Sequence, residues 1–231
     1  MERKSCNIIK EIRGLKFPDL YVTRFFFKEG LNKSSGRVIE FGCGNGNNLF
    51  LFYSYGYDVY GIDIDKKAIE NARFNFKNLL AQEGIDYLFI EDNILNLKEH
   101  RKTVLSGKSF NVLLLPNIVS YIRKNQFKEL MQEIKLFLDE KGKFFIRFRS
   151  PRDMRIGMGK KIGNGEYIIT SEITGESNAI LSVYEESEML FILKSFLGLK
   201  NYEIFHLYEE NYHTDRKVLN ADIVIWGSYE L

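Results

Sequence analysis

One acidic residue and three glycines at alternate positions, Glu40, Gly42, Gly44 and Gly46, are the first residues whose types and spacing suggest chemistry. They close the apolar run "RVIEF" (37–41) within the stretch "VIEFGCGNGNN". Glycine has no Cβ, tolerates positive φ and lets another molecule approach the backbone, so this spacing makes a poor strand and a good tight turn. A dinucleotide site usually reads GxGxxG, with a helix N-terminus facing the pyrophosphate. That spacing requires glycine at 47, where the chain has Asn47. A carboxylate two residues before the first glycine also sits poorly beside a pyrophosphate and suits a ligand bearing an ammonium group. Cys43, inside the turn, has no histidine close by in sequence, and a nucleophilic role is not expected of it.

Further along, "YGIDID" places Asp63 just after a second apolar run, where an acid can accept both hydroxyls of a ribose. Acids at this place also serve dinucleotide sites, and Asp63 or Asp65 can equally form a turn. "RFRSPRDMRIGMGKKIGNGEYIITSEITGE" carries Arg147 and Arg149 on one face of a strand. Between 141 and 161 there are eight basic residues, Arg152 among them, against Asp153 as the one acid. Gly157, Gly159, Gly163 and Gly165 mark this region as a mobile insertion rather than a helix. Arginine pairs well with phosphate or carboxylate, so the segment reads either as an acceptor lobe for something anionic or as a solvated charged hairpin. His206, His213, Asp153 and Glu176 are the candidate proton acceptors; His206 shares a strand face with Ile204 and Tyr208, which also suits plain packing.

The elements that must position these residues alternate regularly. Strands are expected at 37–41, 58–62, 86–90, 110–115 and 143–149, and a late pair near 202–208 and 222–227 can form a hairpin. Helices are expected at 47–55, closed by Gly56, and over 66–80, with Ile69, Ala72, Phe76, Leu79 and Leu80 on one stripe. Another runs through Phe127, Leu130, Met131, Ile134, Phe137 and Leu138 to a stop near Gly142, and one more over 187–197 with Ser187 as N-cap. "FNVLLL" is nearly all apolar, as a strand buried on both faces should be. Such alternation implies a parallel sheet with helices on both faces, whose ligands sit at the carboxyl ends of the strands.

Composition narrows the class. With 45% hydrophobic and 28% charged residues, the chain is globular rather than disordered. Its two cysteines, Cys6 and Cys43, suit neither a disulfide framework nor a four-ligand zinc site, which points to a reducing, cytoplasmic setting. The N-terminus has no apolar core of signal-peptide length, and no run is long enough to span a membrane. A net charge of +2 with one local basic patch speaks against nucleic acid as a partner and for a small-molecule substrate.

With "EFGCGNG" matching (E/D)xGxGxG, the chain resembles the Rossmann-like, class I methyltransferases that use S-adenosylmethionine, over roughly residues 37–150. The resemblance implies a seven-stranded, mostly parallel α/β sheet with an antiparallel late strand. It implies a helical leader or lid over residues 1–35, carrying Ile8, Ile9, Ile12 and Leu15, and a cofactor domain over 36–231 with an acceptor insertion at about 150–180. Glu40, Gly42, Gly44 and Gly46 would hold the methionine part, with Cys43, Asn47 and Asn48 also in the cofactor set, Asp63 the ribose, and Ile64 one face of the adenine. In "FIEDNILNL", either Asp92 or Asn93 would accept from the adenine amine, with Ile94 beside them. Pro116 and Asn117, after the fourth strand, complete the cofactor set; Asn117 can also line the acceptor pocket, together with Tyr121.

The (D/N)PP(Y/F) motif of base-amine methyltransferases is absent, since Pro116 precedes Asn117 and Ile118 follows. A hydroxyl on a small molecule, a saccharide or an anionic metabolite, is therefore the expected acceptor. Tyr21 and Arg24 of the leader, with Tyr121, Arg147, Arg149, Arg152, Asp153 and His206, are the candidate acceptor residues, and no single catalytic base stands out. No metal site is expected. An NAD-dependent oxidoreductase and a non-catalytic cofactor-binding scaffold are the alternatives.

Overall fold

Seven strands form the main sheet in a computed structural model that describes residues 11–78, 80–172, 175–213 and 216–231. Parallel strands with one antiparallel late strand, and helices around them, are the Rossmann-like methyltransferase fold expected from the alternation. Cys6, Ile8, Ile9 and Leu79 lie outside the described residues, as does the side chain of His213. The chain divides into two units, Met1–Ile94 and Leu95–Leu231.

In the first unit, β1 (Arg37–Phe41) pairs in parallel with β2 (Asp58–Asp63), and β2 with β3 (Tyr87–Glu91). Val38, Ile39 and Phe41 of β1, with Val59, Tyr60 and Ile62 of β2, are all buried, which accounts for near-continuous apolar runs. Helix α1 (Leu20–Lys28) starts at Asp19, whose side chain accepts from the backbone N–H groups of Tyr21 at 2.7 Å and Val22 at 3.2 Å, a regular N-cap. It buries Val22, Phe25 and Phe26, and Phe26 meets Phe52 of α2 (Asn47–Ser54) edge-to-face at 4.9 Å, a favoured ring geometry. Helix α3 (Lys66–Asn78) is capped by Asp65, which accepts from Ala68 N at 3.0 Å, and it buries Ala68, Ile69, Ala72 and Phe76. Asp65 thus caps the helix, while Asp63 accepts the turn bond from Asp65 N.

The second unit holds α4 (Leu97–Lys102), β4 (Phe110–Leu115), α5 (Lys124–Lys135) and β5 (Leu138–Arg149), with β4 and β5 parallel. The apolar stripe from Phe127 therefore splits: the helix ends at Lys135 and Leu138 opens β5. Gly142 is not a helix stop. It lies within β5, where the Asn111 carbonyl and the Tyr229 ring leave no space for a Cβ.

The insertion is built rather than irregular. A 3₁₀ turn (Met154–Met158) leads into β6 (Gly159–Gly163), β7 (Glu166–Ile169) and β8 (Ile180–Ser182), an antiparallel sheet with its own small core of Ile169, Leu181 and Val183. Helix α6 (Glu186–Leu197) has Glu185 at the cap position without a side-chain cap bond, so Ser187 is not the N-cap. The late strands β9 (Leu199–His213) and β10 (Arg216–Glu230) form the expected hairpin but run far beyond 202–208 and 222–227; β10 also pairs antiparallel with β5. Within the units, the strands of the main sheet run β3-β2-β1 in the first and β4-β5-β10-β9 in the second.

Candidate active site

The glycine turn of the first unit follows from backbone geometry. Gly42, Gly44 and Gly46 have φ of 75, 52 and 79°, a region that side chains rarely adopt. At Gly44 a Cβ would meet nothing within 4 Å, so its conformation alone calls for glycine and leaves that side of the turn open. At Gly46 a Cβ would press against the rings of Phe76 and Phe89 at 3.2 Å. Cys43 is buried, its Sγ filling the space beside Gly61, and burial pushes its thiol well up, first through desolvation and then through Glu40 and Asp63. That environment suits packing rather than a nucleophile.

Glu40 is 1% exposed at the end of β1. One oxygen, Oε1, accepts from Asn48 Nδ2 at 2.7 Å; the other, Oε2, is buried without a hydrogen-bond partner among the described residues. Desolvation pushes its carboxyl up to about 8, with Asp63 and Asp19 adding repulsion and the Asn48 bond opposing the rise, the combination expected of a dry acid. A buried carboxylate with an unpartnered acceptor is costly alone and fits an ammonium partner.

Asp63, at the end of β2, braces the same turn. Its Oδ2 accepts from Gly44 N at 2.7 Å and its Oδ1 from Asp65 N at 2.8 Å. Next to it Ile64 is 72% exposed, an apolar side chain offered to solvent or to a ring. Asp92 N donates to the Asp63 carbonyl at 3.0 Å, which joins the end of β3 to the same turn. Asp92 Oδ1 accepts from Asn93 N at 2.6 Å; the Asn93 side chain is exposed and Ile94 buried. Hydrogen bonds thus join Glu40 to Asn48, and Gly44 to Asp63 and Asp63 to the Asp92 backbone, all sequence-selected residues.

Sequence reasoning missed how the leader is tied down. Lys16 N donates to Asn47 Oδ1 at 2.7 Å, Asp19 N donates to Asn48 Oδ1 at 2.8 Å, and Arg13 exchanges two bonds with Asn75 at 2.9 and 2.8 Å. Asn75, polar among the apolar positions of α3, is the visible signal. Arg24 stacks over the Tyr21 ring at 5.1 Å, on α1, a cation–π contact.

In the second unit the basic segment is paired internally. Arg147 Nε donates to Asp222 Oδ2 at 2.8 Å and Arg149 Nη1 to Asp222 Oδ1 at 2.6 Å. The two arginines reach one acid because they alternate on β5 opposite β10. Buried Asp153 caps the 3₁₀ turn at Arg155 N and accepts from Ala221 N at 3.0 Å and from Arg155 Nη1 at 3.1 Å. Arg155 Nε and the Tyr121 hydroxyl both donate to Glu176. Burial and then Glu176 push the Tyr121 hydroxyl up to about 12, although the ring remains 40% exposed. Pro116 is buried, and Asn117 is exposed with φ of 61°, turning the chain after β4. Arg152 donates to Tyr208 Oη at 2.8 Å, and His206 pairs with Glu186 at 2.8 Å. No cluster of metal-ligating side chains occurs among the described residues, nor is any helix there long and apolar enough to cross a membrane.

A parallel sheet ending in this turn, with an acid two residues ahead of the glycines and another at the end of β2, defines a nucleoside-cofactor protein of the methyltransferase class. A family model described as "Methyltransferase domain" matches residues 32–178, and the chain belongs to that family, whose methyl donor is S-adenosylmethionine. No curated protein matches the sequence. Among solved structures, an S-adenosylmethionine-dependent methyltransferase from Methanosarcina mazei shares 20% identity over 84% of this chain and 92% of that one, with a TM-score of 0.57. Magnesium protoporphyrin IX methyltransferase from Synechocystis with bound S-adenosylmethionine shares 14% over 88% and 76%, at 0.51. The 1,6-didemethyltoxoflavin-N1-methyltransferase of Burkholderia thailandensis, with its substrate and S-adenosylhomocysteine bound, shares 14% over 91% and 76%, at 0.59.

Proposed function

We propose that the protein transfers a methyl group from S-adenosylmethionine to a hydroxyl of a small, neutral, polar molecule such as a saccharide. The unpartnered Oε2 of Glu40 is the observation that carries the cofactor half, because an ammonium completes it. Glu40 and the turn Gly42–Gly46 would hold the amino-acid end, Asp63 the ribose, Ile64 the adenine face, and Asp92 or Asn93 the adenine amine. Cys43, Asn47, Asn48, Ile94, Pro116 and Asn117 complete the cofactor set.

When bound, the cofactor supplies a methyl already activated by its sulfonium. The chain's own residues have to orient the acceptor, exclude water and take up one proton. For the acceptor half, the Tyr121 hydroxyl, its proton held on Glu176 beside Arg155, offers an oxygen that accepts from and orients the acceptor hydroxyl, and Glu176 offers a carboxylate to receive the proton. The pairing of Arg147, Arg149 and Arg155 with Asp222, Asp153 and Glu176 favours a neutral acceptor over the anionic one, since those guanidinium charges are already matched. Tyr21, Arg24, Arg152 and His206 belong to the surrounding surface in this reading, and the setting is the cytoplasm.

Release of S-adenosylhomocysteine across a panel of neutral polyols, sugar phosphates and aromatic amines is the test. Turnover with neutral hydroxyl acceptors, lost in Tyr121→Phe and Glu176→Gln while cofactor affinity stays unchanged, is expected. Turnover confined to anionic or amine acceptors overturns the acceptor assignment. Cofactor binding without turnover on any acceptor leaves a scaffold.

A further inference from the structure

Asn48 bridges the cofactor turn and the leader. Its Nδ2 donates to Glu40 Oε1 at 2.7 Å, and its Oδ1 accepts from Asp19 N at 2.8 Å, at the point where the leader strap enters α1. Asn48 is itself buried, so neither half of the amide can turn to water when its partner leaves. Elsewhere along the strap from Arg13 to Asp19, Gly14 rests against Asn45, where a Cβ would come within 2.6 Å of Oδ1, and Lys16 hangs on Asn47.

We propose that Asn48 is a positioning residue that couples docking of the Arg13–Asp19 strap to the carboxylate of Glu40, so that cofactor binding and strap closure reinforce each other. The proposal rests on the reading that Glu40 meets the cofactor's ammonium. By holding Oε1, Asn48 fixes the plane of the carboxylate and leaves Oε2 as the acceptor aimed at the ligand. An ionised Glu40 polarises the Asn48 amide, strengthens both of its bonds and tightens the strap; a protonated Glu40 loosens them. Coupling of this kind is reciprocal, so a docked strap must also raise cofactor affinity.

The charged groups facing Glu40 are Asp63 at the end of β2 and Asp19 on the strap, with the Cys43 thiol beside it. Both acids oppose ionisation, and the Asn48 bond is what favours it. Loss of that bond must therefore shift the pH at which the cofactor binds, and not merely the affinity.

The test measures S-adenosylhomocysteine affinity against pH for the wild type, Asn48→Asp, Asn48→Leu and Glu40→Gln, together with limited trypsin cleavage after Arg13 and Lys16. The ligand's own titration is common to all four chains and cancels in the comparison. Asn48→Asp preserves size and the acceptor for Asp19 N but replaces the amide donor by a second carboxyl against Glu40, so that the two cannot readily ionise together; it remains informative if Asn48→Leu fails to fold. Wild-type protein should bind with a midpoint that moves to higher pH in both Asn48 variants, at about tenfold weaker affinity near neutrality. Saturating ligand should slow cleavage at Lys16 at least about fivefold in the wild type and leave it unslowed in Asn48→Asp. Parallel pH profiles with undiminished protection would overturn the coupling. Glu40→Gln binding like the wild type at every pH would remove Glu40 from the cofactor, and the proposal with it.

Discussion

Around the glycine turn, Glu40 keeps one oxygen on Asn48 and buries the other without a partner among the described residues, while on β5 Arg147 and Arg149 close on both oxygens of Asp222. The first region carries an unbalanced acid in a dry place; the second holds its charges in matched pairs from Asp222 through Arg149 and Asp153 to Arg155 and Glu176. A buried acid whose second oxygen has no partner is costly to ionise and persists where a ligand will complete it. A matched network needs no ligand; it holds strands, turn and insertion in register. Sequence alone points to an ammonium ligand at Glu40 but leaves the eight basic residues over 141–161 either as an anion-binding lobe or as a solvated hairpin, and shows none of their pairing.

Removing the shared acid breaks the comparison most severely. Asp222→Ala removes the carboxylate on which Arg147 and Arg149 converge in a largely buried setting and should cost about 3–5 kcal/mol of stability, measured by urea unfolding. A cost of a few tenths would mean the pairs are solvated and the arginines free for a substrate. On the other side, Asp63→Ala should weaken S-adenosylhomocysteine binding roughly tenfold, through loss of a charge-assisted hydrogen bond of ~1.5–3 kcal/mol. Unchanged affinity in a folded variant would remove Asp63 from the site.

The strain on Glu40 has its own signature. Its carboxyl is held up to about 8 against an ordinary 4.5, so the folded chain keeps a proton that the unfolded chain releases. Stability from this group is present below the ordinary value and is lost as pH rises through the window between the two, at roughly 1.4 kcal/mol per pH unit. Without cofactor, Glu40→Gln should flatten that decline, read as thermal midpoints across the window. Equal slopes in both proteins would mean that Glu40 is solvated. The smallest effect concerns Tyr121, where Phe should change stability by no more than about 1.5 kcal/mol while turnover falls.

Where the chain's signals are local, the sequence is enough. "RVIEF" is β1 residue for residue, "FNVLLL" is β4, and the turn glycines adopt the positive φ that their spacing implies. Signals that depend on distant partners are not legible. The insertion's glycines read as loop because nothing near them shows that Gly159 pairs with Ile169, or Tyr167 with Leu181. The late strands read short because the polar ends of β9 and β10 are held by one another, Glu210 opposite Leu219 for instance, rather than by apolar alternation. The arginines read as free because Asp222 lies far downstream, flanked by the apolar residues of β10. Asn48 gives no sign in the sequence of touching Glu40 across the turn.

Calorimetric titration of the purified protein with S-adenosylmethionine, S-adenosylhomocysteine and NAD in parallel tests the central claim most directly. Micromolar binding of the first two, with none for NAD, is the predicted result. Binding of NAD alone, or of none of the three, would contradict the assignment of the Glu40 turn to an ammonium-bearing cofactor.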